Sequence, residues 1–261
     1  MCLRGFGFVL LGGLSLTAQV PLGPAEKGVN LYRLEKEAGL GRQLAAEFRQ
    51  RTTPIDNPVV QAYLDRLGQK LAAQMPEVKF PFTFGVVADD ACRTTHEPAA
   101  LPGGYVFVPS GLFLAAHDEA EFAGMLAHAM EGSMVNNSKA PLIFMGGFSR
   151  TCSEGQAIPL GFITSQKGRE LEADSLAIRT MAGAGFDPSA LVRYIQRVQV
   201  RPADRDTRLA TMLSAIEKLP SVEYAAAPPD EFAAAQQEVR RLSEAPVRAK
   251  TPPSLMRKRP Q

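Results

Sequence analysis

From Asp118 to Gly132 the chain reads as one buried helix. Phe122, Met125, Leu126, Ala129 and Met130 occupy the i, i+3, i+4, i+7 and i+8 positions of a core face. Asp118, followed three residues later by Glu121, makes a capping-box-like start. A stripe this apolar must be covered by other elements, so the segment predicts the centre of a packed domain.

Those other elements are mostly helical. Leu34, Gly41, Leu44, Ala45 and Phe48 predict a helix over 31–50, ended by Thr53-Pro54 and Asp56-Asn57-Pro58. Val60, Tyr63, Leu64, Leu67, Leu71 and Met75 predict a second, stopped by Pro76. Phe82–Ala88 and Tyr105–Val108 read as strands, the latter introduced by the turn Leu101-Pro102-Gly103-Gly104. No clear period runs through 136–166. A helix near 169–182 closes at Gly183 and Gly185, and another follows Asp187-Pro188 with Leu191, Val192, Ile195 and Val198 on one stripe. Leu209, Met212, Leu213, Ile216 and Leu219 mark the next, closed by Pro220. The pattern predicts an α+β chain with one compact domain over 28–220. A polar helix over 230–244 and a disordered basic, Pro-rich tail would make up 221–261.

Charge excludes some functions. The net charge is +2, and there is no basic stripe. With no Trp and only five Tyr there is no aromatic platform either, so nothing points to nucleic acid. No nucleophile elbow or phosphate-binding Gly-rich loop occurs. The basic excess lies after Glu244, at Arg248, Lys250, Arg257, Lys258 and Arg259.

The N-terminus reads as an export signal over 1–18. Arg4 supplies the positive region, Gly5–Leu16 an uncharged apolar stretch, and Leu16-Thr17-Ala18 a small-residue cleavage site. No later stretch is long and apolar enough for a membrane helix. A mature chain is thus expected in the periplasm or the medium, without a transmembrane helix. Cys2 would leave with the signal. Cys92 and Cys152 would remain as candidates for a disulfide that the sequence neither requires nor excludes.

Several segments in register resemble the HtpX/BepA-like family of gluzincin zinc metallopeptidases. Leu101-Pro102-Gly103-Gly104 leads into Tyr105–Val108, and Ser110-Gly111-Leu112 precedes Asp118–His128. Glu170-Leu171-Glu172-Ala173-Asp174 and Gly183-Ala184-Gly185-Phe186-Asp187-Pro188 follow. The resemblance covers roughly 30–215. It implies a mostly helical, zincin-like (minimal gluzincin) domain with a small antiparallel β element beside the active-site helix. It also implies a zinc cofactor, metalloendopeptidase (hydrolase) activity and a polypeptide substrate or client, with Leu101, Pro102, Gly103 and Gly104 along the substrate cleft.

The family's His-Glu-x-x-His motif is broken. Two histidines four residues apart and a distant Glu hold zinc in such sites, and the intervening Glu activates a bound water. In Met125–Gly132, MLAHAMEG, His128 holds the first ligand position. Ala129 stands at the general-base position and Gly132 at the second ligand position. Glu170 takes the third ligand position, with Asp174 one turn on as its supporting neighbour. A site short of one ligand and its base is expected to hold zinc weakly or not at all. Glu131, three residues after His128, is a surrogate ligand or base, or else a solvated helix residue. His96 is a further surrogate, and His117 is expected to be exposed. The Asn-Ala-Phe-Ala-like stretch of the family is replaced by Glu97-Pro98-Ala99-Ala100, where Pro98 lacks a donor for an added strand. Arg201-Pro202 stands near the family's His-Pro, and Arg208 matches a later Arg. Three readings follow: a protein-binding or chaperone-like pseudoenzyme of the cell envelope, an active peptidase using His128, Glu131 and Glu170, and a structural partner docking through its basic tail.

Overall fold

A computed structural model describes residues 34–76, 78, 80–89, 96–137, 160–224 and 230–244. The signal segment, Cys92, Cys152 and the basic tail lie outside the described residues. In chain order the elements are α1 (Leu34–Arg51), α2 (Pro58–Ala72), β1 (Thr83–Val87), β2 (Ala99–Leu101) and β3 (Tyr105–Pro109). They continue with α3 (Ser110–Ala115), α4 (Glu119–Asn137), α5 (Leu160–Gly183), α6 (Ser189–Val198), α7 (Pro202–Ile216) and α8 (Asp230–Glu244). The described chain is a mostly helical α+β fold.

The sheet has the order β1-β3-β2 and is mixed. The expected antiparallel element is the β2–β3 pair, whereas β1 joins β3 in parallel. The chain reverses between β1 and β2 and again at 102–104, so β3 runs in the direction of β1. That turn needs glycine: Gly103 and Gly104 have φ of 74° and 83°. A Cβ on Gly104 would also lie 2.5 Å from the Pro81 carbonyl oxygen. Strand alternation then divides the core. Val106 and Val108 face the main cluster with α2 and α4. Phe107 between them faces α1, stacking on Phe48 with ring centroids 4.4 Å apart.

Local chemistry sets the helix ends. Asn57 caps α2 by accepting from the Val59 and Val60 amides at 2.8 and 3.2 Å, with Pro58 at the first helical position. At the start of α4 the Glu121 amide donates to Asp118 at 2.8 Å, and the Glu121 carboxylate accepts from the His117 amide at 2.9 Å. Arg197 of α6 also donates to Glu121 and reaches the Ala115 carbonyl at 3.0 Å, fixing α6 against the α3–α4 junction.

The polar helix expected outside the compact domain is part of it. Phe232, Ala235 and Val239 of α8 are buried in the main core, and Phe232 meets Tyr63 and Phe122 with centroids 5.9 and 5.4 Å apart. Gln236 donates to the carbonyls of Phe113 and Ala116 at 2.7 and 3.0 Å, satisfying the open end of α3. The domain therefore extends to at least 244. Helix α5 also starts earlier than its sequence period predicts, at Leu160.

Two glycines give opposite expectations. Gly104→Ala should lower stability by at least ~2 kcal/mol, from positive φ and the Pro81 clash together. Gly168→Ala, at an open and exposed position in α5, should raise it by ~0.5–1 kcal/mol. Urea midpoints of the two variants check both signs.

Candidate functional site

A small cleft of about 80 Å³ lies between α4, α5 and the start of β2. Helix α4 lines it with His128, Ala129, Gly132 and Ser133, and α5 with Arg169, Glu170 and Ala173. The strand side supplies Glu97, Pro98 and Ala100. His128 is only 2% exposed, and its two nitrogens face different chemistry. Nδ1 lies 2.8 Å from Asp174 Oδ1. Nε2 lies 3.3 Å from Glu170 Oε2 and 3.4 Å from Glu97 Oε1.

Behind the imidazole sits a buried ion pair. Asp174 is fully buried, and Arg208 of α7 donates to its two oxygens from Nε and Nη2 at 2.8 and 2.6 Å. Burial works to raise the Asp174 pKa. The Arg208 hydrogen bonds and the His128 charge outweigh it and hold the carboxyl down at about 2. Burial likewise works to lower the His128 pKa. The Asp174 charge, with hydrogen bonds to Asp174, Glu170 and Glu97, raises it well above the usual histidine range.

The structure brings His128, Glu170 and Asp174 together and places Ala129 and Gly132 on the cleft wall. Glu131 is not in the group. Three residues place it about 60° round the helix from His128, on the side away from Gly132. There its carboxylate accepts from Thr180 Oγ1 at 2.5 Å. It is neither a cleft ligand nor a solvated residue, being 4% exposed, and burial raises its pKa. His96 pairs with Asp89 at 3.0 Å instead of entering the cleft, and His117 is exposed. Leu101–Gly104 do not line the cleft. Leu101 faces the α1 side with Phe107, because alternation gives Ala100 the opposite face.

Glu97 is the residue that the motif reading missed. It stands where the related pattern carries Asn, and that exchange of an amide for a carboxylate is the signal that could have found it. Glu97, His128 and Glu170 each offer one ligand atom within 4.8 Å of the others. One imidazole and two carboxylates form a donor set that suits zinc. The carboxylate behind Nδ1 is the usual support for a metal-bound histidine. The residues present therefore fit the metal despite the missing second histidine. A Cβ on Gly132 would meet only the Ala173 Cβ, at 3.8 Å, so the position has room for a side chain.

No family model matches the chain. Curated relatives do. It is 29% identical over 191 residues to the putative beta-barrel assembly-enhancing protease of Vibrio cholerae, covering 63% of this chain and 38% of that protein. It is 28% identical over 191 residues to the beta-barrel assembly-enhancing protease of Yersinia pestis, with the same coverage. The protein of that name from Escherichia coli K12 is 24% identical over 189 residues, covering 62% and 37%. The chain thus spans under two fifths of the length of the relatives it matches. These homologues support a metallopeptidase family.

The Asp174 pair gives stability a definite acid limb. Its pKa is lowered from 3.8, so its contribution is present above about pH 4 and is lost as pH falls towards about 2. Asp174→Asn should flatten that limb in urea midpoints measured from pH 2 to 5. Arg208→Met, which leaves the buried carboxylate without its guanidinium, should cost roughly 3–5 kcal/mol at neutral pH.

Proposed function

We propose that this chain is a metallopeptidase-fold domain that holds extended polypeptide without cutting it, as a chaperone-like factor of the cell envelope. One observation supports the non-hydrolytic reading above the others: the residues that α4 turns to the cleft are His128, Ala129, Gly132 and Ser133. None is a carboxylate able to take a proton from an attacking water. The neighbouring Glu131 is committed to Thr180 on another side of the helix. A metal held at His128, Glu97 and Glu170 would supply Lewis-acid polarisation of a carbonyl. The helix would still offer no base beside it.

Polypeptide binding rests on the sheet. Strand β2 is an edge, and the chain just before it and Ala100 within it form one wall of the cleft. An extended segment adding beside β2 would lie along His128 and Glu170. Pro98 removes one backbone donor from that path, so added strands would have to be short. The relatives' names join proteolysis to β-barrel assembly. We infer unassembled β-barrel segments as clients and an exported location.

The test combines binding and cleavage. A labelled, unstructured segment of an outer-membrane β-barrel should raise its fluorescence anisotropy with the unaltered chain. Mass spectrometry should then show the segment intact after prolonged incubation with zinc. Fragments that vanish in His128→Ala would overturn the reading. The double variant Ala129→Glu with Gly132→His should bind zinc at least tenfold more tightly than the unaltered chain, because the open space at Gly132 admits the ligand.

A further inference from the structure

We propose that Glu97 replaces the missing histidine, so that His128, Glu97 and Glu170 bind one zinc ion that ties the β2 edge to α4 and α5. The argument is geometric. On one imidazole ring, Nδ1 lies 2.8 Å from the Asp174 carboxylate, in ion-pair contact. Nε2 stands farther from both of its neighbours, at 3.3 and 3.4 Å. Those separations lie at the long limit of N–H···O contact. They match the edge of a tetrahedron: donors about 2.0–2.1 Å from a zinc lie roughly 3.3–3.4 Å apart.

The elements converge to make this possible. His128 is fixed by burial and by Asp174, itself clamped by Arg208. Glu170 is one turn before Asp174 on α5, so the helix that orients the ring also supplies a donor. Glu97 comes from the opposite wall, just before the edge strand. The two carboxylates carry charge enough to neutralise a divalent ion. Arg169 lines the same cleft and opposes the ion electrostatically, which sets the affinity below that of a site without it. Glu97 is partly exposed, so its side of the cleft is reached by solvent. The site differs from a two-histidine centre in its donor set: one nitrogen and two oxygens. It does not require peptide binding, and each is measured by itself.

The experiment uses the full chain stripped with a chelator and titrated with zinc alone. Calorimetry should give one zinc per chain. A free zinc concentration a hundred times the Kd should raise the Tm by about 5–10 °C. Glu97→Gln should weaken binding at least tenfold, with circular dichroism unchanged. Glu172→Gln, an exposed carboxylate on the same helix, should leave binding as it was. Adding Gly132→His to Glu97→Gln should restore the affinity, since either side chain completes the set. The proposal is overturned if the unaltered chain takes up no zinc, if Glu97→Gln binds as tightly as it does, or if Gly132→His restores nothing. Anisotropy of the β-barrel segment in the same samples reports the peptide-binding reading on its own.

Discussion

The site depends on a buried run of ion pairs: Arg208 to Asp174 to His128. Asp174 is fully buried and His128 nearly so, and neither could remain there alone, because an isolated buried charge costs far more than a single contact returns. The guanidinium makes the carboxylate tolerable, and the carboxylate fixes one ring nitrogen. Only the other nitrogen is then left for the cleft. Three helices must hold register for this to work: α7 for Arg208, α5 for Asp174 and α4 for His128. The aromatic cluster of Tyr63, Phe113, Phe122 and Phe232 holds α4 from its opposite end.

A scaffold that orients an imidazole this firmly is of little use to a purely structural domain. The supports of the imidazole, Asp174 and Arg208, stand behind a helix face that presents Ala129 and Gly132 to the cleft. Gly132 and Glu97 line the cleft and are only partly buried, whereas Ala129 is 4% exposed and belongs to the core as well as to the cleft wall. Gly132 is open enough to accept a side chain, and Ala129 sits at the cleft wall. The chemistry can therefore be altered without altering the fold that presents it.

Much of this was legible in the sequence, for identifiable reasons. The period of α4 and its Asp118–Glu121 start are local signals, and the structure honours both. His128, Glu170 and Asp174 could be named because a resemblance supplied their roles. Strand β2 and helix α3 are too short to show a period. The docking of α8 was missed although Phe232, Ala235 and Val239 do follow a helical spacing, because the polar residues between them dominate its composition. Glu131 was misplaced because i and i+3 neighbours share a side of a helix without facing the same partner. Glu97 was missed because no local period ties a residue before β2 to a histidine in α4, three elements further along the chain.

The proposed centre holds zinc with one imidazole and two carboxylates. X-ray absorption at the zinc edge, on the full chain loaded with one equivalent of zinc, distinguishes that donor set from a two-histidine one. The account predicts a shell of nitrogen and oxygen only, with the outer-shell scattering of a single imidazole. That signal should be lost in His128→Ala, and the oxygen shell should be altered in Glu97→Gln. Scattering from two imidazoles, or a shell that Glu97→Gln leaves unchanged, would contradict it.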